Sequence, residues 1–315
     1  MKKYFFFAAT ALALAACSNN EDENLGNGPV EARITAGVST PETRANGSNW
    51  EQDAIGVMVT STSDMANLYK NVKYTTTANN TSTATFTPEG EGIFFQDASE
   101  TVTFAAYAPY QESAANNLLP GTNGMIEGFT TDQSTREKQK AFDYIYASGA
   151  TASHANPTVE FKETTAFAHK MTRLIIIVKT SADHGFTAEE VTKGTYSLSG
   201  LNHSGQFNVT TGVAEAKETT ATDDWSLTDK SLKTEGETDQ VTFTSILYPQ
   251  TLTGNLTFKA VIDGQTYTNN NIQPALEAGQ SYTVTITAKK TGLVISGCTV
   301  SGWGTENNSE GDAMM

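Results

Sequence analysis

One cysteine near the start of the chain has neighbours that suit a specific covalent reaction. The sequence begins with Lys2 and Lys3, continues with an apolar run over residues 4–13, and then reads Leu14-Ala15-Ala16-Cys17. A basic start, an apolar middle and small residues before the cut are typical of an export signal. In the bacterial lipoprotein pathway, a cysteine directly after the cut takes a diacylglycerol on its thiol and a third acyl chain on its freed amine. The pattern therefore predicts a lipoprotein signal peptide over residues 1–16 and lipidation of Cys17.

Two alternatives for this segment are an ordinary secretory signal that contains a cysteine by chance, and a signal anchor. The apolar run is short for a membrane span, which argues against the anchor. The only other thiol in the sequence is Cys298. Because an acylated Cys17 cannot pair with it, we expect no intrachain disulfide and interpret Cys298 as a small buried hydrophobic residue.

Other side chains with catalytic potential are scattered along the chain. The four histidines lack the spacing of a zinc site and are His154, His169, His184 and His203. The sequence has no G-x-S-x-G elbow and no phosphate-binding loop with its lysine. Asp223-Asp224 precedes Trp225 in a polar stretch, where a solvated loop is favoured over a glycosidase carboxylate pair. We therefore expect no enzymatic activity, no metal and no cofactor.

The composition indicates an exported protein rich in strands. Charged residues make up 17% of the chain and hydrophobic residues 38%, and threonine, glycine and asparagine are frequent. The net charge of −15 argues against nucleic acid or a bare anionic membrane as a partner, because both bind clustered lysine and arginine. No second apolar stretch approaches the length of a membrane helix, so any membrane attachment is expected through lipid on Cys17.

The segment after the signal peptide contains a tether, a short strand and a loop. Residues 18–29 are too polar to fold and predict the tether. Residues 32–38 predict a strand, and the Pro- and Asn-containing residues 39–47 predict a turn. Arg44 in this turn is an accessible site for a trypsin-like protease. Arg33 is the alternative, but its strand-like context makes it less exposed, so we favour cleavage at Arg44.

From Trp50 onward, apolar and polar residues alternate with a period of two in short segments, which is the pattern of antiparallel strands. The continuous apolar run at residues 174–178 predicts a central strand covered on both faces. Only residues 134–141 look helical, for one or two turns. Strand signals on both sides of a polar stretch near residues 154–157 predict two β-sandwiches. We place them at residues 45–160 and 161–315.

Several segments together resemble the fimbrillin family, the type V pilins of the Bacteroidales. Beginning at the lipidation motif, they follow one another over nearly the whole chain. They are residues 49–57 (Asn-Trp-Glu-Gln-Asp-Ala-Ile-Gly-Val), 132–133 (Asp-Gln), 143–147 (Asp-Tyr-Ile-Tyr-Ala), 167–171 (Phe-Ala-His-Lys-Met), 247–251 (Leu-Tyr-Pro-Gln-Thr), 279–285 (Gly-Gln-Ser-Tyr-Thr-Val-Thr), and 292–300 (Gly-Leu-Val-Ile-Ser-Gly-Cys-Thr-Val) followed by Trp303. Each piece alone is weakly specific, whereas their order is specific. The acidic triplet Glu21-Asp22-Glu23 similarly resembles a surface-export signal of Bacteroidetes lipoproteins, with a solvated linker as the alternative.

The resemblance implies an all-β fold of two tandem transthyretin-like sandwich domains. It further implies lipoprotein export to the outer-membrane surface, removal of an N-terminal strand within residues 17–44 by a trypsin-like protease, and polymerisation with other fimbrial subunits by strand exchange. The function expected from it is that of a structural subunit of a fimbria that supports adhesion. A removed strand would leave an apolar groove with unpaired backbone groups, which a strand from a neighbour could fill.

In this family the donor strand comes from the C-terminal region, and the candidate here lies within residues 293–315. The expected donor side chains are Leu293, Ile295, Cys298 and Val300. Gly297 interrupts their alternation, so we predict a β-bulge at Ser296-Gly297 that returns all four to one face. The alternative is that this segment is simply the last strand of its own sandwich.

A second hypothesis from another class is a monomeric surface lipoprotein that binds glycans through its sandwich loops. Aromatic side chains in such loops could stack on sugar rings, and the candidates are Trp50, Trp225 and Trp303. Isolated tryptophans pack more often in cores or at sheet edges. Trypsin treatment of the purified precursor discriminates between the two hypotheses: a pilin should be shortened and then polymerise, whereas a glycan-binding protein should stay monomeric and bind polysaccharide.

Overall fold

Strands dominate the part of the chain that the structure describes. The computed structural model describes residues 28–38, 49–130, 132–183, 185–217, 224–234 and 239–303. The strands of the first half are β1 (Val30–Glu31), β2 (Arg33–Gly37), β3 (Trp50–Glu51), β4 (Ala54–Val59), β5 (Val72–Thr75), β6 (Asn79–Thr81), β7 (Thr83–Pro88), β8 (Phe94–Phe95), β9 (Thr101–Ala108), β10 (Met125–Phe129), β11 (Ile145–Ser153), β12 (Thr158–Phe161) and β13 (Ala168–His169). Those of the second half are β14 (Thr172–Lys179), β15 (Thr195–Ser199), β16 (Ser204–Asn208), β17 (Val213–Ala216), β18 (Trp225–Ser226), β19 (Leu232–Thr234), β20 (Gln240–Leu247), β21 (Leu256–Ile262), β22 (Gln265–Ile272), β23 (Gln280–Lys289) and β24 (Gly292–Gly302). The all-β prediction is confirmed.

Short helices connect some of these strands. Within the described residues they are α1 (Met65–Leu68), α2 (Arg136–Lys140), α3 (Ala188–Lys193), α4 (Leu227–Lys230) and a 3-10 turn (Glu163–Thr165). Helix α2 is the one predicted within residues 134–141, and Thr135 caps it by accepting a hydrogen bond from the backbone N–H of Lys138. The prediction of helix at that place only was wrong, because Thr187 and Glu190 form a capping box that starts α3.

The first hydrophobic core packs inside an eight-stranded sheet. Its strand order is β12-β2-β7-β5-β4-β9-β11-β13, and the pairs β1–β8 and β3–β6 lie beside it. Apolar side chains from residues 32–167 fill this core. Phe86, Phe161 and Phe167 contribute aromatic rings, and Trp50 packs among them. Predicted inward residues such as Ile55 are fully buried there, because alternate positions of a strand face the same side.

The second core lies between a five-stranded and a four-stranded sheet. The strand orders are β19-β20-β14-β23-β24 and β18-β15-β21-β22. β14 is central as predicted, with β20 antiparallel on one side and β23 parallel on the other. The prediction that this strand is covered on both faces was wrong. Leu174, Ile176 and Val178 are buried, whereas Ile175 and Ile177 are only partly buried. The second core packs against one face of β14 only, so the run of apolar residues is half core and half outer surface.

A third cluster joins the two halves of the chain. Strand β10 from the first half pairs with β16 from the second, and β17 completes this three-stranded sheet. Tyr144 stacks on Phe207 beneath it, with ring centroids 4.5 Å apart. The cluster also contains Met58, Met171 and Trp303, which come from distant parts of the chain. The two predicted domains, with a boundary between residues 160 and 161 that falls within β12, stay a prediction, as does their transthyretin-like character.

Candidate functional site

The N-terminal strand β2 occupies an internal place in the first sheet. It pairs in parallel with β12, where Ile34 lies opposite Val159, and antiparallel with β7, where Ile34 lies opposite Phe86. The alternation of residues 32–36 buries Ala32, Ile34 and Ala36 completely in the first core. The predicted strand at residues 32–38 is thus confirmed, with Val38 making one further bridge to Phe167. A strand near the chain terminus is here flanked by neighbours on both sides.

Trp50 holds the inner side of β2. Its indole Nε1 donates a hydrogen bond to the backbone oxygen of Ala36 at 3.0 Å, and the ring is fully buried. The ring packs edge-on against Phe86 at 4.9 Å and against Phe167 at 5.2 Å between centroids. The leader strand, by which we mean residues 30–38, therefore satisfies a buried indole donor as well as two strand ladders.

The two candidate cleavage sites differ in their surroundings. Arg33 lies within β2, where its backbone N–H donates to Pro157 O at 2.8 Å and the residue pairs with Thr158. A protease must bind its substrate as an extended, unpaired segment, so this backbone is protected. Arg44 lies outside the described residues, in the connection between β2 and β3, and so does Cys17.

The C-terminal strand β24 lies at the edge of the five-stranded sheet. It pairs antiparallel with β23 along its whole length, from Gln280 opposite Gly302 to Lys289 opposite Gly292. The register shifts at Ser296, which has no partner residue on β23. This shift is the predicted β-bulge, and its cause is the extra residue in β24. In this arrangement the segment closes its own sandwich.

The bulge places the expected donor side chains on one face. Leu293 is buried at 9% exposure, and Ile295, Cys298 and Val300 pack partly buried against the second core. Val294, on the opposite face, is 48% exposed. Burial raises the pKa of the Cys298 thiol, which fits its interpretation as a small hydrophobic residue. One face of β24 is thus apolar over eleven residues of strand, although only Leu293 reaches full burial.

Trp303 follows β24 and ties its far end to the junction between the halves. The indole stacks on the His169 imidazole with centroids 4.0 Å apart and planes 2° from parallel. The Arg173 guanidinium lies 5.4 Å from the indole centroid. His169 Nδ1 is 2.5 Å from Asp143 Oδ1, and both side chains are buried. The backbone N–H of Trp303 donates to Gly279 O at 2.8 Å.

Comparison with known proteins identifies the family. A sequence model described as fimbrillin-like matches residues 43–303. This chain belongs to the fimbrillin-like family. The predicted family resemblance is thereby confirmed. The matched residues begin after the leader strand and end with Trp303.

Individual relatives of this fimbrillin-like protein cover most of its length. A protein of Bacteroides uniformis, provisionally named fimbrium subunit Fim1C, is 29% identical over 242 residues, which is 75% of this chain and 75% of that protein. Two crystal structures are similar to the present chain. Each similarity covers 89% of this chain and 100% of the other, and both proteins are provisionally described as cell adhesion proteins. One, from Bacteroides ovatus, has 27% identity and a TM-score of 0.69. The other, from Bacteroides uniformis, has 25% identity and a TM-score of 0.65.

The three described histidines of the fimbrillin-like protein, His154, His169 and His203, lie apart from one another and contact other protein groups. His154 Nε2 is 3.0 Å from Gly28 O, and His203 Nδ1 is 3.2 Å from the Thr130 hydroxyl. Burial lowers the pKa of His203 to about 4. His184 lies outside the described residues. Over the described ranges, no three His, Cys, Asp or Glu side chains come together in a way that could hold a metal ion.

The other candidates from the sequence also have structural partners. Asp224 bonds Lys259 at 3.0 Å and Ser199 at 2.9 Å, and the bond to Lys259 is the main cause of its lowered pKa, while Asp223 lies outside the described residues. Trp50, Trp225 and Trp303 are all at most 4% exposed, so none of them presents a face for a sugar ring. The burial of all three indoles therefore goes against tryptophan-based glycan binding.

Sequence reasoning missed the segment that clamps the two halves together. The Gln133 side chain bonds both backbone groups of Ile246, donating to the carbonyl at 2.7 Å and accepting from the N–H at 2.6 Å. Gln139 donates to Thr244 O at 2.7 Å. The next residue, Lys140, forms an ion pair with Asp53 at 2.7 Å. Residues 133–140 thus contact strand β20 and Asp53 of the first half at once. Gln133 is part of a family motif in the sequence, but nothing in that motif indicated a contact with β20.

Proposed function

We propose that this chain is a structural subunit of a surface fimbria and that it polymerises by strand exchange. In this scheme Cys17 carries the lipid that attaches the exported precursor to the outer membrane, and cleavage at Arg44 frees the leader strand. The C-terminal strand of one subunit then enters the place of the leader strand in the next. The observation that carries the proposal is the position of β2, which is an internal strand contributed by the chain's N-terminal part.

Loss of the leader strand would leave a well-defined groove. Its walls would be β12 and β7, with Val159, Phe161 and Phe86 at its base. The groove would also expose two unpaired strand edges and the Trp50 indole N–H, which now donates to Ala36. An added strand binds strongly to such a groove when it pairs with the free backbone groups and also buries the apolar surface. Such a groove therefore favours an incoming strand over solvent.

The C-terminal strand has the chemistry to fill this groove. Its four inward side chains are apolar, and at about 1.5–3 kcal/mol each they would contribute on the order of 6–12 kcal/mol before ordering costs. As an edge strand, β24 leaves its own sheet without interrupting the pairing of the remaining strands. The half-buried state of Ile295, Cys298 and Val300 makes its departure less costly than that of a core strand. Both properties support its role as donor.

The membrane part of the proposal rests on the lipid alone. Among the described residues, no helix has the length and apolar character needed to cross a bilayer. The predicted signal peptide and the lipidated Cys17 supply the attachment, and cleavage at Arg44 would detach the subunit from it. We accordingly propose an outer-membrane, surface-exposed precursor and a fimbrial mature form. The family match, which starts at residue 43, is consistent with a mature chain that begins near this point.

Limited trypsin treatment of the purified precursor tests the proposal. We expect the chain to lose about its first 44 residues, as read by mass spectrometry, and then to form polymers whose growth depends on protein concentration. Arg44→Ala should block both events. Arg33→Ala is the matched control, because Arg33 is exposed and its replacement leaves the core of β2 intact. A trimmed chain that remains monomeric and binds no added strand peptide would overturn the proposal.

Deletion of residues 293–315 separates a donor strand from a closing strand. If the segment is the donor, the shortened precursor should fold and be trimmed normally, yet it should fail to polymerise. If β24 is needed to close its own sandwich, the protein should be insoluble or unfolded. Circular dichroism and size-exclusion chromatography before trypsin treatment distinguish the two results.

A further inference from the structure

Strand β24 is held more weakly than its neighbours along most of its length. The inward residues of β23, such as Val284 and Ile286, are at most 2% exposed, whereas Ile295, Cys298 and Val300 are only partly buried. The far half of β24 follows the bulge, where Ser296 has no opposite residue on β23 and is held through its hydroxyl, and it contains Gly297 and Gly302. Among the residues described at that end, Trp303 is the one large side chain that is buried, at 4% exposure. Besides the pairing with β23, the seat of Trp303 in the junction cluster is thus the main side-chain contact that holds the far half of β24.

The seat of Trp303 depends on His169. The imidazole stacks face to face on the indole, and the short contact with Asp143 fixes its orientation. His169 Nε2 has no hydrogen-bond partner among the described residues, so the contact with Asp143 and the stack position the ring. The Arg173 guanidinium also lies over the indole, and its Nε donates to the Ser281 hydroxyl on β23 at 2.9 Å. A shift of His169 would therefore remove the ring that stacks on the Trp303 indole.

The leader strand is bonded two residues away from His169. The backbone N–H of Phe167 donates to Gly37 O at 3.2 Å, and Val38 bridges to Phe167 in parallel. The Phe167 ring packs against Trp50, which in turn bonds Ala36. Phe167 continues directly into β13, whose His169 contacts Trp303. A continuous run of contacts therefore leads from the leader strand to the anchor of the C-terminal strand.

We propose that Trp303 is a latch on β24 and that the docked leader strand keeps this latch closed through Phe167 and His169. Loss of the leader removes the hydrogen bond and the bridge at Phe167. Ala168 and His169 keep their pairing with β11 and the contact with Asp143, but the chain that enters β13 loses one of its two supports, and the stack of His169 on Trp303 weakens. The donor strand then becomes free only in a subunit whose own groove is open. This inference rests on the proposed strand exchange, and its consequence is that precursors do not polymerise before they are trimmed.

Hydrogen–deuterium exchange of β24 in unassembled protein tests the latch. The amides of residues 297–302 are compared in the precursor and in freshly trimmed, dilute protein, with and without an excess of synthetic peptide 28–38. Trimming should speed their exchange by about 5- to 150-fold, the usual range of coupling between two sites. Added peptide should restore protection. Amides of the central strand β14 should not change and serve as the internal reference.

Substitutions at Trp303 and His169 test the same inference without removing the leader strand. In the untrimmed precursor, Trp303→Leu should speed exchange of residues 297–302 by more than about tenfold, because truncating a buried tryptophan costs more than the ~1.4 kcal/mol of one factor of ten. Trimming should then add little further. His169→Gln keeps the Trp303 side chain and should also speed amide exchange of residues 297–302. This second variant keeps the test decisive if Trp303→Leu does not fold. Val294→Ala, on the exposed face of the strand, is the control without effect.

The outcomes separate this inference from the proposed function. If trimming leaves the exchange of residues 297–302 unchanged, or speeds it equally in the wild type and in His169→Gln, the latch is refuted even when the trimmed protein polymerises. If exchange responds as expected and the trimmed protein stays monomeric, the latch stands and the strand-exchange proposal fails. Sedimentation of the same samples at high concentration reads polymerisation independently.

Discussion

Replacing Gln133 with alanine is expected to destabilise the junction between the two halves by about 2–6 kcal/mol. The Gln133 amide bonds the carbonyl of Ile246 at 2.7 Å and its N–H at 2.6 Å, and both residues are fully buried. Alanine would leave a buried backbone donor and a buried acceptor without these partners, and each such loss costs about 1–3 kcal/mol. Guanidinium unfolding followed by tryptophan fluorescence should show a lower transition midpoint.

Two further glutamines calibrate this prediction. Gln139→Ala removes a single bond, to Thr244 O at 2.7 Å, and should cost about half as much. Gln96 is exposed and donates only to Phe94 O at 3.1 Å, so Gln96→Ala should change the free energy of unfolding by less than about 0.5 kcal/mol. If Gln133→Ala and Gln96→Ala shift the midpoint equally, the side-chain clamp does not stabilise the junction and the reasoning is refuted.

Three other predictions follow from the described contacts. Trp50→Phe keeps an aromatic ring but loses the bond to Ala36 O at 3.0 Å, so after trypsin treatment the leader peptide should dissociate about 2- to 10-fold faster in a fluorescence-labelled release assay. Ile295→Asp should abolish polymerisation of trimmed protein measured by light scattering, whereas Val294→Asp, at a 48% exposed position, should not. Because burial lowers the His203 pKa from 6.5 to about 4, the unfolded chain binds the extra proton between these values. Stability should therefore fall by about 3 kcal/mol as pH drops from 6.5 to 4, and His203→Gln should flatten that slope in denaturation curves.

Local patterns in the sequence were enough to predict most strands and several details of them. Alternation of apolar and polar residues predicted β2 and the inward face of β4, because side chains of a strand point alternately to its two sides. The extra residue between Ile295 and Cys298 predicted the bulge at Ser296. The order of short motifs over the chain predicted the family. All of these signals are carried by residues close together in the sequence.

What a residue packs against was decided by the tertiary structure. The apolar run 174–178 reads the same whether its strand is covered on one face or on two, and only the placement of the second sheet leaves Ile175 and Ile177 partly exposed. Gln133 pairs with a residue more than a hundred positions away, a separation over which no local pattern extends.

The sequence by itself determined the strand composition, the export signal pattern and the likeness to the fimbrillin family. The internal position of β2, the edge position of β24 and the stacking of Trp303 on His169 came only from the tertiary structure. Strand order and long-range contacts depend on which surfaces bury one another best once all strands exist, and that competition involves the whole chain at once.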